Sequence, residues 1–103
     1  MSFLLAAAAT IALGIGAESS TEIVVKVNGK DTIVKLAGAP QGNQQSKVFL
    51  QCLVAHRVLK INGGDVRLLD GSKVTDHLAE FAQSKTSADP CTLGKAAYAP
   101  GRR

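Results

Sequence analysis

The chain has 103 residues, 46% of them apolar, with a net charge of +4, two cysteines, three Phe, one Tyr and no Trp. That length excludes a multidomain enzyme, and the balance of apolar and charged residues excludes a disordered tail and a polytopic membrane protein. The apolar residues are unevenly spread: 13 of the first 17 belong to that class and none of the 17 is charged. The other 86 residues hold every Lys, Arg, Asp and Glu, so one small globular domain is the ceiling.

Phe3 to Ala17 (FLLAAAATIALGIGA) is uninterruptedly apolar or small. As a helix it would reach about 22 Å against a hydrocarbon core of roughly 30 Å, too short to span comfortably. The small Ala17 before Glu18-Ser19-Ser20 predicts a signal peptide over residues 1–17, cleaved after Ala17, with residues 18–21 as a linker. Met1-Ser2-Phe3 lacks the usual positive side chain. The competing readings are a buried N-terminal helix and an uncleaved anchor. After cleavage no stable membrane insertion is expected, and the protein is placed as secreted or periplasmic.

Residues 22–83 read as the folded domain. Glu22 to Val27 (EIVVKV) and Lys30 to Ala37 (KDTIVKLA) are rich in β-branched residues and flank Asn28-Gly29, the pair best suited to a type I′ hairpin turn. Gly38 to Asn43 reads as a loop. Gln44 to Ala55 (QQSKVFLQCLVA) repeats apolar residues at helical spacing, predicting an amphipathic helix. Arg57 to Ile61 and Asp65 to Leu69 flank Asn62-Gly63-Gly64 as a second hairpin, followed by an Asp70-Gly71 turn. Val74 to Gln83 predicts a second helix with Ser72 or Thr75 as N-cap and Asp76 in the first turn. Residues 84–103, rich in small residues, Gly and Pro, read as an irregular tail pinned by Cys91 and Tyr98. The order hairpin, helix, hairpin, helix predicts an α+β fold, an antiparallel sheet of about four strands closing over a helix, with a partly open OB-like barrel as the fitting architecture.

In an oxidising space an even cysteine count favours a bridge between Cys52 and Cys91. Closing a loop of about 39 residues would contribute roughly 4 kcal/mol. The alternative is two independent thiols, with Cys52 acting as a small hydrophobe on its helix. No CxxC site is present, and neither cysteine has a basic neighbour that would favour a thiolate.

Three stretches resemble the staphylococcal nuclease-like (thermonuclease) family over residues 22–83. Val24 to Thr32 is similar to a strand running into Asp-Gly-Asp-Thr and keeps the final Asp31-Thr32. Lys35-Leu36-Ala37-Gly38-Ala39-Pro40-Gln41 is similar to Arg-Leu-x-Gly-Ile-Asp-x-Pro-Glu. Val66 to Leu78 resembles the strand, Asp-Gly turn and helix start that follow. The resemblance implies an OB-type barrel. It also implies a hydrolytic site of metal-binding carboxylates, a carboxylate near the attacking water and two arginines on the phosphate.

Most of that set is replaced. Asp31 could be the one retained calcium ligand, but the Asp before the proline is missing and the Glu after it is Gln41. The first Arg is Lys35, which lacks the planar fork, and Asn62-Gly63-Gly64 stands where the family carries its second Arg. The implied protein has kept the shell and lost the catalytic set.

The expected function is therefore binding, of nucleic acid or another anionic polymer or of a protein partner, over a surface around Lys26, Asp31, Lys35, Lys60 and Arg67. No aromatic residue falls on a predicted strand, so nucleic-acid binding would be electrostatic and salt-dependent rather than based on stacking. The alternatives are a calcium-dependent phosphodiesterase using Asp31 and Lys35, and a structural interaction subunit that pairs through an exposed strand edge. His56 and His77 stand alone and read as surface or structural residues, and no cofactor is expected for the binding function.

Overall fold

The computed structural model describes residues 10–84 and 88–97. In chain order the elements are β1 (Thr10–Ala17), β2 (Glu22–Val27), β3 (Lys30–Lys35), α1 (Gln44–Val54), β4 (Val58–Asn62), β5 (Asp65–Arg67), α2 (Val74–Gln83) and α3 (Pro90–Ala97). The strands form one antiparallel, open sheet in the order β3-β2-β1-β4-β5. The fold is α+β, as expected, with one more strand and one more helix than the sequence suggests.

Both hairpins occur where turn chemistry puts them. Val27 faces Lys30 across Asn28 (φ 53°) and Gly29 (φ 80°), the two positive angles of a type I′ turn. Asn62 faces Asp65 across Gly63-Gly64, with a positive φ at Gly63.

The additional strand is β1, the centre of the sheet. Its first half, Thr10 to Leu13, pairs with β4, and its second half, Leu13 to Ala17, pairs with β2. The register slips by one between Gly14 and Gly16, a bulge that bends the strand as it changes partner. The residues facing the helix layer are small: Ala12, Gly14 and Gly16 are buried, while Ile11, Leu13 and Ile15 are exposed. A side chain at Gly14 would overlap the Val54 carbonyl, and one at Gly16 would overlap the Gln51 side chain. Hydrogen bonds from Gly14 N to Arg57 O (2.8 Å), His56 N to Gly14 O (2.9 Å) and Ala17 N to Gln51 Oε1 (2.7 Å) hold this contact.

Glu18 to Thr21 form the turn between β1 and β2, with Glu18 N and Ser19 N both donating to Glu22 O. In this structure residues 10–21 form the central strand and its first turn, the stretch where the sequence places the end of a signal peptide and a linker. Removal of β1 by cleavage after Ala17 would leave both neighbouring strands with an open edge. Met1 to Ala9 lie outside the described residues.

The core lies between the sheet and α1. Ile23 and Val25 of β2, Leu59 and Ile61 of β4 and Val66 of β5 meet Phe49, Leu50, Leu53 and Val54 of α1, with Val74 and Leu78 of α2 closing one end. Asn43 caps α1 by accepting from Ser46 N at 3.0 Å. Helix α2 spans the expected residues, but its N-cap position is Lys73, with no side-chain bond. Ser72 instead joins Asp70 Oδ1 (2.6 Å) to His77 Nε2 (2.9 Å), and neither it nor Thr75 is the cap.

Helix α3 corrects the expectation of an irregular tail. Asp89 accepts from Thr92 N at 3.0 Å and Pro90 opens the helix, which are helix-start signals. A helix this short needs tertiary support. Gly94 supplies it by letting α3 approach α1, since a Cβ there would lie 2.5 Å from Phe49 O. The expected disulfide is present: Cys52 and Cys91 are bonded, with Cα atoms 5.1 Å apart. Phe49 and Phe81 stack with centroids 4.5 Å apart. Tyr98 lies outside the described residues. Among the described residues, no helix is long and apolar enough to cross a membrane.

Two outcomes check this arrangement. A chain beginning at Glu18 is expected to lack a cooperative thermal transition, because β1 joins the two halves of the sheet; a folded truncated chain would refute the central role of β1. The Cys52→Ala variant is expected to lose roughly 3 to 4 kcal/mol in denaturant unfolding relative to the oxidised protein.

Candidate binding face

Residues on alternate positions of each strand point away from the helices, and all five candidate residues share that outer face. Lys26 on β2 stands between Leu13 of β1 and Asp31 of β3, and its Nζ lies 3.5 Å from Asp31 Oδ1. Lys35, at the end of β3, stands opposite Glu22. Lys60 on β4 stands between Ile11 of β1 and Arg67 of β5. Arg67 is fixed by Nε to Asp65 Oδ2 (3.4 Å) and by Nη1 to Gly71 O (3.0 Å). The partner change at Leu13 divides the face into two facets, one carrying Lys26, Asp31 and Lys35 and the other carrying Lys60 and Arg67.

The structure therefore gathers the five residues on one side of the sheet without clustering them. Asp31 and Lys35 are four residues apart on β3, about 13 Å along an extended strand. Asp31 sits at the mouth of the β2–β3 hairpin and is ion-paired with Lys26. Among the described residues no group of three or more His, Cys, Asp or Glu side chains forms that could hold a metal ion.

Aliphatic side chains that the sequence reading did not single out occupy the space between the charges. Ile11, Leu13 and Ile15 run along β1, Val58 lies directly opposite Leu13, and Ile33 stands opposite Val24 on the β3 side. Ile11 and Ile33 are more than half exposed. The signal for the β1 row was the strict large-small alternation in Ile11-Ala12-Leu13-Gly14-Ile15-Gly16, a period of two that an apolar leader does not need.

Two other polar features lie away from this face. The Asp70–Ser72–His77 chain ties the β5–α2 loop to α2. Ser72 Oγ has a single proton, and where it donates that proton to Asp70 Oδ1 the imidazole Nε2 is the donor to Ser72 Oγ. A cleft of about 740 Å³ opens between the starts of α1 and α3 and the end of α2, bordered by Gln41, Asn43, Gln45, Phe81 and Asp89. Asn43 and Asp89 are already engaged as helix caps.

Because the Lys26–Asp31 pair is solvent-exposed, Asp31→Ala is expected to change unfolding stability by less than about 1 kcal/mol. A larger loss in denaturant titration would show that Asp31 has a structural role beyond this ion pair. No protein-family model, curated protein or solved structure matches this chain.

Proposed function

We propose that the protein is a small OB-like, staphylococcal nuclease-like domain, exported to an oxidising compartment, that acts by binding a protein partner through its outer sheet face rather than by catalysis. The observation that carries this reading is the row of exposed aliphatic side chains, Ile11, Leu13, Ile15, Val58 and Ile33, set among the charged residues of the face. Exposed apolar surface rimmed by polar groups is the signature of a protein contact. An anionic polymer would instead call for a cluster of unneutralised cations, yet Lys26 and Arg67 have carboxylate partners and Lys35 stands opposite Glu22, which leaves Lys60, beside Arg67, as the exception among the five. Phe49 and Phe81 stack on each other in the helix layer and are not platforms for bases.

The OB-like assignment is supported by strand order and by one hydrogen bond. The first three strands form a meander, α1 crosses, and β4 and β5 return on the far side of β1. Ala37 N donates to Gly64 O at 3.0 Å, bringing the chain beyond β3 to the β4–β5 turn as in a nearly closed barrel. The Cys52–Cys91 bridge supports an oxidising location. Loss of the hydrolytic set is supported by the separation of Asp31 from Lys35 and by the Lys26 ammonium beside the carboxylate that a calcium ion would need.

A photo-crosslinking residue in place of Val58 tests the reading in cells. Discrete protein adducts, lost when Leu13 is also changed to Asp, are expected. Adducts to nucleic acid alone would overturn it. Calcium-dependent nicking of plasmid DNA by the purified full chain, abolished by Asp31→Ala, would do so as well and would establish the phosphodiesterase alternative.

A further inference from the structure

We propose that the outer sheet face takes a segment of a partner protein in which apolar side chains are followed by a short run of Asp or Glu, the apolar part lying over Ile11, Leu13 and Val58 and the acidic part over Lys60, Arg67 and Lys73. This rests on the outer-face reading and adds to it the chemistry of the partner.

Strand register builds a row of cations at one end of the aliphatic strip. Lys60 stands between Ile11 of β1 and Arg67 of β5. Beyond β5, Arg67 stands opposite Lys73 in an antiparallel bridge just before α2; Lys73 is outside the five residues that the sequence singles out. Directly opposed residues of a sheet point to the same face with their Cβ atoms about 5 Å apart. Ile11, Lys60, Arg67 and Lys73 therefore form one line across the strands, an apolar residue followed by three cations. Leu13 and Val58, opposite each other two residues further along β1 and two residues back along β4, widen the apolar end of that line.

The charge of this line is not balanced within the chain. Arg67 Nε lies 3.4 Å from Asp65 Oδ2, but among the described residues neither Lys60 nor Lys73 has a carboxylate within ion-pair distance. Asp70, in the loop before Lys73, accepts from the N and Oγ of Ser72. Like charges directly opposite each other destabilise a sheet, and Lys60 against Arg67 and Arg67 against Lys73 are two such pairs. Carboxylates placed over the line relieve both. At the other side of the aliphatic strip Lys26 is paired with Asp31, and Lys35 stands opposite Glu22, so the demand for negative charge is concentrated on the β4–β5 side.

The two parts of the line together select the occupant. An anionic polymer would meet the cations but set Ile11, Leu13 and Val58 against a charged backbone. A purely apolar segment would cover Lys60 without supplying a partner for it. A second copy brings the same excess of positive charge, +4 for the whole chain. An apolar segment that continues into carboxylates satisfies both parts.

The test is an NMR titration of the oxidised full-length protein with a peptide of three leucines followed by three glutamates. A second peptide carries lysines in place of the glutamates, and a third carries serines in place of the leucines. The first is expected to shift the amide signals of Leu13, Val58 and Lys60, to bind Lys60→Glu and Lys73→Glu roughly fivefold more weakly each, and to lose Leu13→Asp, with folding of the variants checked by circular dichroism. The lysine peptide is expected to prefer the Lys60→Glu/Lys73→Glu double variant over the parent chain. Equal affinity of the parent chain for the glutamate and lysine peptides would overturn the acidic partner and leave the outer-face contact standing. Equal affinity for the serine peptide, or tighter binding of duplex DNA or phosphatidylserine vesicles, would overturn both. The photo-crosslinker at Val58 draws the same distinction in cells: adducts undiminished by Lys60→Glu, or adducts that join two copies of this chain, overturn the acidic partner alone, whereas the lack of any protein adduct overturns the outer-face reading with it.

Discussion

The last turn of α1 lies against β1 so closely that only a hydrogen fits at Gly14, where any side chain would meet the Val54 carbonyl. From this contact much of the remaining arrangement follows. It sets the height of the helix above the sheet, and the reciprocal hydrogen bonds of Gly14 with Arg57 and His56 deliver the chain into β4 at the edge of β1. The bulge that follows turns the second half of β1 toward β2. One strand thereby joins the β2–β3 hairpin to the β4–β5 hairpin, and neither has enough strands to be stable by itself.

The same contact explains why the protein carries apolar surface outside. With Ala12, Gly14 and Gly16 filling the inner positions of β1, its large residues can only point away from the core. A strand in an ordinary half-buried sheet does the reverse. Its inner face is small because the helix backbone occupies the space, and the cost is an exposed aliphatic row across the centre of the sheet. On the β2–β3 side cross-strand acid and base pairs keep the face polar at its margin, whereas on the β4–β5 side Lys60 stands opposite Arg67, which is paired with Asp65 of its own strand. At the far side of α1, Gly94 repeats the device, letting α3 lie close enough for Cys91 to bond Cys52.

Much of this was legible from local chemistry. The β2–β3 hairpin follows from Asn28-Gly29, because few residue pairs accept two positive φ angles. The boundaries of α1 and α2 follow from helical spacing, to within a residue at Ala55. The disulfide was one of two readings of an even cysteine count. The central strand was not legible in the N-terminal segment because a leader and a central strand are both uncharged and apolar; the signal for the strand is the period of two in Ile11 to Gly16. Helix α3 was hidden because Gly94 lowers helix propensity, and its value appears only against α1. The five candidate residues were separate points in the sequence, and sharing an outer face is a consequence of strand register.

By itself, the sequence determined what depends on neighbours along the chain: the turns, the amphipathic helices and the α+β class. The tertiary structure decided that Thr10–Ala17 is the middle of the sheet, that the tail holds a helix, and that Asp31 is paired with Lys26 and far from Lys35. Those outcomes depend on which backbones approach closely and which strands align, and both are set by contacts between residues distant in sequence.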